Sequence, residues 1–111
     1  MCNNRLEVIR QTEKGYLMHC RGCGRFQLGF GTTAISMSKK HLMALWKEID
    51  FQLLHWKDRL PKGEKSFFFA TDSQNVKLVL CYMEMEWLHD LISQSFLILE
   101  AQALIKAEPG E

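Results

Sequence analysis

The sequence predicts an α+β domain: a mostly antiparallel sheet, in the order β-β-β-β-α-β-β-α, with two helices on one face. Three observations carry this. Period-two alternation of apolar and polar residues recurs through residues 6–37. The apolar spacing then switches to helical between residues 38 and 60. Two further strand-like runs and a second helical run complete the chain, and turns this short join consecutive strands only if they are antiparallel.

Residues 6–12 and 16–20 form two short strand-like segments separated by Glu13-Lys14-Gly15, where Gly15 is expected to take the positive φ of a tight hairpin. Phe26, Leu28 and Phe30 alternate with Gln27 and Gly29, and Thr33, Ile35 and Met37 alternate again after Gly31-Thr32. Ser38 is an N-cap residue, although His41 does not complete a capping box. Leu42, Leu45, Trp46, Ile49, Leu53 and Trp56 make the apolar stripe of a helix expected to lie on the sheet and to end before Pro61. Residues 61–65 read as a polar turn, 66–71 as a strand, 72–75 as a turn, 76–81 as a strand and 83–107 as the second helix. Ile35-x-Met37 before Leu42 and Leu45 is echoed by Leu78-x-Leu80 before Met85 and Leu88, a similarity that shared periodicity explains as well as duplication does.

With 111 residues the chain is read as a single domain, 1–111, large enough for a core without covalent staples. Its 47% apolar and 24% charged content are ordinary globular values and argue against disorder. A formal charge of +1 gives no electrostatic pull toward nucleic acid, a membrane surface or an acidic substrate. Met1-Cys2-Asn3-Asn4-Arg5 lacks the apolar core of a signal peptide, and the longest wholly apolar runs, 67–70 and 96–99, are far too short to cross a bilayer. A cytoplasmic location is therefore expected, where the four cysteines remain reduced and act as buried thiols, metal ligands or redox groups.

Cys20-Arg21-Gly22-Cys23-Gly24 has the two-residue gap of a zinc knuckle, in which one tight turn aims two sulfurs at one ion. Backbone N–H groups of the turn are expected to bond to the thiolates, with Gly22 and Gly24 supplying the unusual dihedrals. A turn at residues 13–15 makes paired positions sum to about 27–29, which sets Cys23 across from Asn4 to Leu6. Cys2 then falls roughly 7–13 Å farther along the strand. The candidate metal ligands are thus Cys2, Cys20 and Cys23, with zinc as the expected ion. The fourth ligand stays open among Cys81, His19, His41, His55, His89 and water.

The plain alternative is a glycine-rich turn with incidental thiols. Redox chemistry is weaker, because a thioredoxin-type pair sits where a strand enters a helix, whereas Cys23 leads into Phe26-x-Leu28-x-Phe30. Cys81, beside Tyr82, reads as a small buried hydrophobe. Gly29-Phe30-Gly31-Thr32-Thr33 lacks the lysine and spacing of a phosphate loop and fits a hairpin turn better. His55 and His89 read as surface histidines, and Glu84, Glu86 and Asp90 as acids favouring the start of a helix. Arg21, Arg25, Lys39 and Lys40 form a candidate basic rim with Phe26 or Phe30 to stack a base, although a solvated face is the better reading.

Phe96-Leu97-Ile98-Leu99 places apolar groups around most of the second helix. Leu88, Ile92 and Leu99 suit the sheet, which leaves Trp87, Ile98 and Ile105 for the first helix or for a protein partner, self-association included. The expected function is that of a small cytosolic binding module without enzymatic activity. Its alternatives are a thiol oxidoreductase using Cys20 and Cys23, a hydrolase using a histidine, or nucleic-acid binding at the knuckle.

Met1-Cys2-Asn3, Gly15-Tyr16, Cys20-Arg21-Gly22-Cys23, Phe26-Gln27-Leu28-Gly29-Phe30-Gly31-Thr32 and Trp87-Leu88-x-x-Leu91-Ile92 together resemble a small bacterial family of unknown function. Its members have an early cysteine, a Cys-x-x-Cys and a following Phe-x-Leu-x-Phe-Gly strand. The resemblance implies no activity; it implies only that Cys2, Cys20 and Cys23 belong to one pattern.

Overall fold

The computed structural model describes residues 6–57, 67–71 and 76–107. The turns expected at 61–65 and 72–75, the first residue of the strand expected at 66–71, and Cys2 lie outside the described residues. The element order is the expected one: β1 (Leu6–Gln11), β2 (Gly15–Cys20), β3 (Phe26–Phe30), β4 (Thr33–Met37), α1 (Lys39–His55), β5 (Phe67–Ala70), β6 (Lys77–Leu80) and α2 (Tyr82–Ala107). The class is α+β. All described strand pairs are antiparallel, but they divide into a four-stranded sheet, β1-β2-β3-β4, and a separate pair, β5-β6.

Cross-strand rows show how the alternation is used. Leu17 pairs with Leu28, and Leu28 with Ile35; His19 pairs with Phe26, and Phe26 with Met37. Leu17, Leu28, Phe26 and Met37 are buried, so these rows face the core. The alternate rows, Val8-Met18-Gln27-Ser36 and Gln11-Tyr16-Gly29-Ala34, face outward. Neither outward row contains a charged residue.

The β1-β2 register departs from the expected one. A β-bulge between Val8 and Arg10 leaves pairs that sum to 27 on the turn side (Gln11 with Tyr16) and to 26 beyond it (Leu6 with Cys20). Ile9 is the extra residue, and its side chain is buried. Leu6 therefore lies opposite Cys20, and Cys23 pairs with none of the described residues of β1.

Gly15 also plays a different part. The positive-φ glycines among the described residues are Gly24, at 80°, and Gly31, at 63°. Thr12 makes the first turn instead: its Oγ1 accepts from the N–H groups of Lys14 (3.1 Å) and Gly15 (3.3 Å). Gly15 is needed for close approach, since a Cβ there would run into the carbonyl oxygen of Gly29 on β3.

Ser38 caps α1, its Oγ accepting from His41 N–H at 3.2 Å. The His41 ring returns to the same oxygen, Nδ1 to Oγ 2.8 Å, where a capping box has a glutamate. Leu42, Leu45 and Ile49 are the buried face of α1. At the second helix the reciprocal half of a capping box appears: Cys81 N–H donates to Glu84 Oε1 at 2.9 Å.

α2, rather than α1, is the helix laid against β1 and β2, while α1 packs on α2 and reaches β5. The reason lies in the wider apolar surface of α2. Met85, Leu88, Leu91, Ile92 and Ser95 are all fully buried, enough to serve the sheet and α1 together. Ser95 is satisfied by donating to the Leu91 carbonyl at 2.7 Å. Trp46 Nε1 donates to Ser93 Oγ at 2.7 Å, and Tyr82 donates to the Leu53 carbonyl at 3.1 Å, tying the helices at two heights. Among the described residues no helix is long and apolar enough to cross a membrane.

Candidate functional site

The thiol turn begins where β2 ends. Cys20 is buried and Cys23 exposed, and the two are not joined to each other as a disulfide. The turn is closed twice by backbone: Gly24 N–H donates to the Cys20 carbonyl at 2.8 Å, and Cys20 N–H donates to the Arg25 carbonyl at 2.8 Å. Gly24, at φ 80°, turns the chain back toward β3. Gly22 does not adopt a positive φ, so one glycine rather than two makes the reversal. The chemically telling contact is Cys23 N–H donating to Cys20 Sγ at 3.4 Å. A backbone N–H aimed at the first sulfur is the contact expected of a knuckle turn.

Arg21 pairs with Glu7 across the hairpin at 3.7 Å, and Arg25 Nε donates to Ser36 Oγ at 3.1 Å. Both arginines thus lean on neighbouring strands. Phe26 is 3% exposed and packs on the His19 ring, with centroids 4.6 Å apart, while Phe30 packs against the core. The Phe26 ring is therefore closed to a base, whereas Phe30 is half-buried and borders a depression between the hairpin turns.

Of the open candidates for a fourth ligand, His19 adjoins Cys20 with its ring against Phe26, and the others are dispersed. His41 is held by Ser38, His55 stacks on Phe51 with centroids 5.8 Å apart, and Cys81 is buried at the start of α2. Among the described residues, no group of three or more His, Cys, Asp or Glu side chains is gathered to hold a metal ion. Cys2, the third cysteine of the expected ligand set, lies outside the described residues.

His89 is not the surface histidine expected. Its Nε2 lies 2.9 Å from Asp50 Oδ1, and its ring stacks on Trp46 with centroids 5.2 Å apart. Asp90, next in sequence, reaches Arg10 of β1 at 3.7 Å. This line of polar contacts joins β1, α2 and α1, yet its members are separated in sequence by up to 80 positions. No local motif announces it. Trp87 is half-buried, with the Lys14 ammonium 4.3 Å from its ring centroid.

A depression of about 390 Å³ opens between the two hairpin turns, bordered by Thr12, Lys14, Tyr16, Gly31 and Thr32. It lies at the Gly15 end of β2, whereas the thiols lie at the Cys20 end. The glycine-threonine run on its rim is the β3-β4 hairpin turn, as expected, with Phe30 paired to Thr33 and Gly31 N–H donating to the Lys14 carbonyl at 3.5 Å. It contains no thiol or histidine, and so no obvious nucleophile.

No curated protein and no solved structure matches the chain. The model of a family of unknown function, DUF6686, matches residues 1–105, so the chain belongs to that family.

Proposed function

We propose that this domain is a cytosolic binding module whose N-terminal hairpin is clipped by zinc, with Cys2, Cys20 and Cys23 as thiolate ligands. The observation that carries this reading is the Cys23 N–H bond to Cys20 Sγ inside a turn of knuckle spacing. The register supports it. Leu6 is opposite Cys20, and Cys2 precedes Leu6 by four residues, a reach of at most about 14 Å. In such a site the metal is structural: it fixes the turn and presents a defined loop. The fourth position is filled from outside this set or by water.

A thiol oxidoreductase has less support. The pair stands between two strands, and the next helix, α1, begins only at Lys39, so it lacks the strand-to-helix setting of a thioredoxin-type pair.

The test is metal content of freshly purified, reduced protein, paired with thiol titration before and after chelation. About one zinc per chain, with three thiols released by chelation, is expected for a three-thiolate site. Cys20→Ser and Cys23→Ser should each lose the metal. Absence of stoichiometric zinc defeats the proposal, and an alkylation profile showing a strongly acidic Cys20 thiol in metal-free protein favours redox chemistry instead.

A further inference from the structure

The turn proposed to hold zinc also has the geometry to close on itself. Gly24 N–H donates to the Cys20 carbonyl at 2.8 Å, an i+4 to i bond, so residues 20–24 form a single α-turn. In a turn of that geometry, residues three apart have Cα atoms about 5 Å from one another. A disulfide spans Cα separations of roughly 4.4–6.8 Å, so Cys20 and Cys23 fall within its reach. The Cys20 sulfur is already beside its neighbour, since Cys23 N–H donates to it at 3.4 Å. The pairing of β2 with β3 ends at His19 and Phe26, outside the turn, so a bond between the two sulfurs breaks no strand pair.

Burial gives the two thiols different parts. Cys23 is exposed, whereas Cys20 is 4% and Cys81 7% exposed. Among the described cysteines, Cys23 is therefore the one that meets an oxidant in solution. We infer that Cys20 and Cys23 are the site of a reversible disulfide, which Cys23 initiates and Cys20 completes, with a low-mass disulfide as oxidant.

The chemistry is two successive exchanges. The Cys23 thiolate attacks one sulfur of the oxidant R–S–S–R. A Cys23–S–S–R bond forms, the oxidant's own S–S bond breaks, and RS⁻ leaves. The Cys20 thiolate then attacks the Cys23 sulfur, which forms the Cys20–Cys23 bond and releases the second RS⁻. The two cysteines together lose two electrons and two protons. The oxidant gains both electrons, and its two thiolates take up the protons to become two thiols.

A sulfur in a disulfide is no longer a thiolate ligand. The inference thus deepens the reading above by naming how the site is regulated, and it rests on that reading for the metal alone. Oxidation removes two of the three proposed ligands together, and the zinc leaves. Without the strand-to-helix setting of a catalytic pair, the exchange runs on the minutes-to-hours scale of uncatalysed disulfide rearrangement, which suits a switch and not a turnover catalyst.

The test uses freshly purified, reduced protein, before and after chelation, incubated with excess oxidised glutathione. Remaining thiols are alkylated, and the peptides are mapped by mass spectrometry. Two of the four thiols should be lost to one bond joining Cys20 and Cys23, with Cys81 untouched, and reduced glutathione should restore both. Cys20→Ser should stop at the glutathione adduct on Cys23, and Cys23→Ser should leave Cys20 unmodified. In zinc-loaded protein, metal release should follow disulfide formation one for one. Protein that holds no zinc when purified defeats the metal proposal, while the disulfide is still decided by the peptide map. No bond, an adduct that persists on Cys23 in the unsubstituted protein, or a bond from either cysteine to Cys2 or Cys81 overturns the inference. Zinc retained after the bond has formed overturns the regulation.

Discussion

The ring of Tyr16 on β2 covers Gly29 on β3, its cross-strand neighbour, so closely that a Cβ on residue 29 would meet Tyr16 Cδ2 at 2.7 Å. The Tyr16 hydroxyl, in turn, accepts from Gln27 Nε2 at 3.1 Å, which holds the ring over the glycine. A glycine in a strand interior weakens the sheet unless something packs over it, and here an aromatic neighbour does.

Gly29→Ala should therefore destabilise the domain by about 1–3 kcal/mol through overpacking. In a Tyr16→Ala background the same substitution should be much less harmful. Denaturant unfolding of the four proteins in this cycle reads the coupling, and additive effects would show that the ring and the glycine are not in contact.

Ile49 and Phe51 lie two residues apart on α1 with opposite fates: Ile49 is fully buried and Phe51 is 60% exposed. Ile49→Ala should cost about 2–5 kcal/mol, as cavity-forming core truncations do. Phe51→Ala should stay within about 1 kcal/mol, even with loss of the His55 stacking. Equal melting shifts for the two variants would contradict this assignment of the buried face.

Removal of the α1 cap by Ser38→Ala should cost about 1 kcal/mol. His41→Ala should cost less, because the Ser38 hydroxyl still caps the His41 backbone N–H. A larger loss for His41→Ala, measured by thermal or denaturant unfolding, would transfer the capping role from the serine to the imidazole.

In reduced, metal-free protein, Cys23 should be alkylated well before Cys81, since the first is exposed and the second is buried. Peptide mass spectrometry of a brief alkylation time course gives the order directly. Comparable rates at the two positions would show that the start of α2 opens far more readily than its packing implies.

The order and type of the elements were legible because they depend on local spacing: Phe26-x-Leu28-x-Phe30 alternates, and Leu42, Leu45 and Ile49 step at helical intervals. The capping serine and the β3-β4 turn were legible for the same reason. What escaped depends on distance in sequence. Nothing local says that β5 and β6 stand apart from the first four strands, or that His89 finds Asp50 across 39 positions. The choice of α2 over α1 to lie on β1 and β2 is a matter of which apolar face is broader, which only packing decides. The thiol pair was visible from its spacing, and the structure adds the Cys23 N–H bond that gives Cys20 its chemical setting.

The bulge at Ile9 changes the parity of β1. Ile9 is buried and Arg10 reaches inward to Asp90, whereas Val8 and Leu6 are 52% and 37% exposed. Were the same residues paired without a bulge, the even-numbered positions of β1 would share one face from end to end. Leu6 and Val8 would then join Arg10 on the core side, and Leu6 would align with Arg21 instead of Cys20. One extra residue thus acts as a half-step in the strand. It hands two aliphatic side chains to the solvent face and sets Leu6, the first described residue of β1, opposite Cys20.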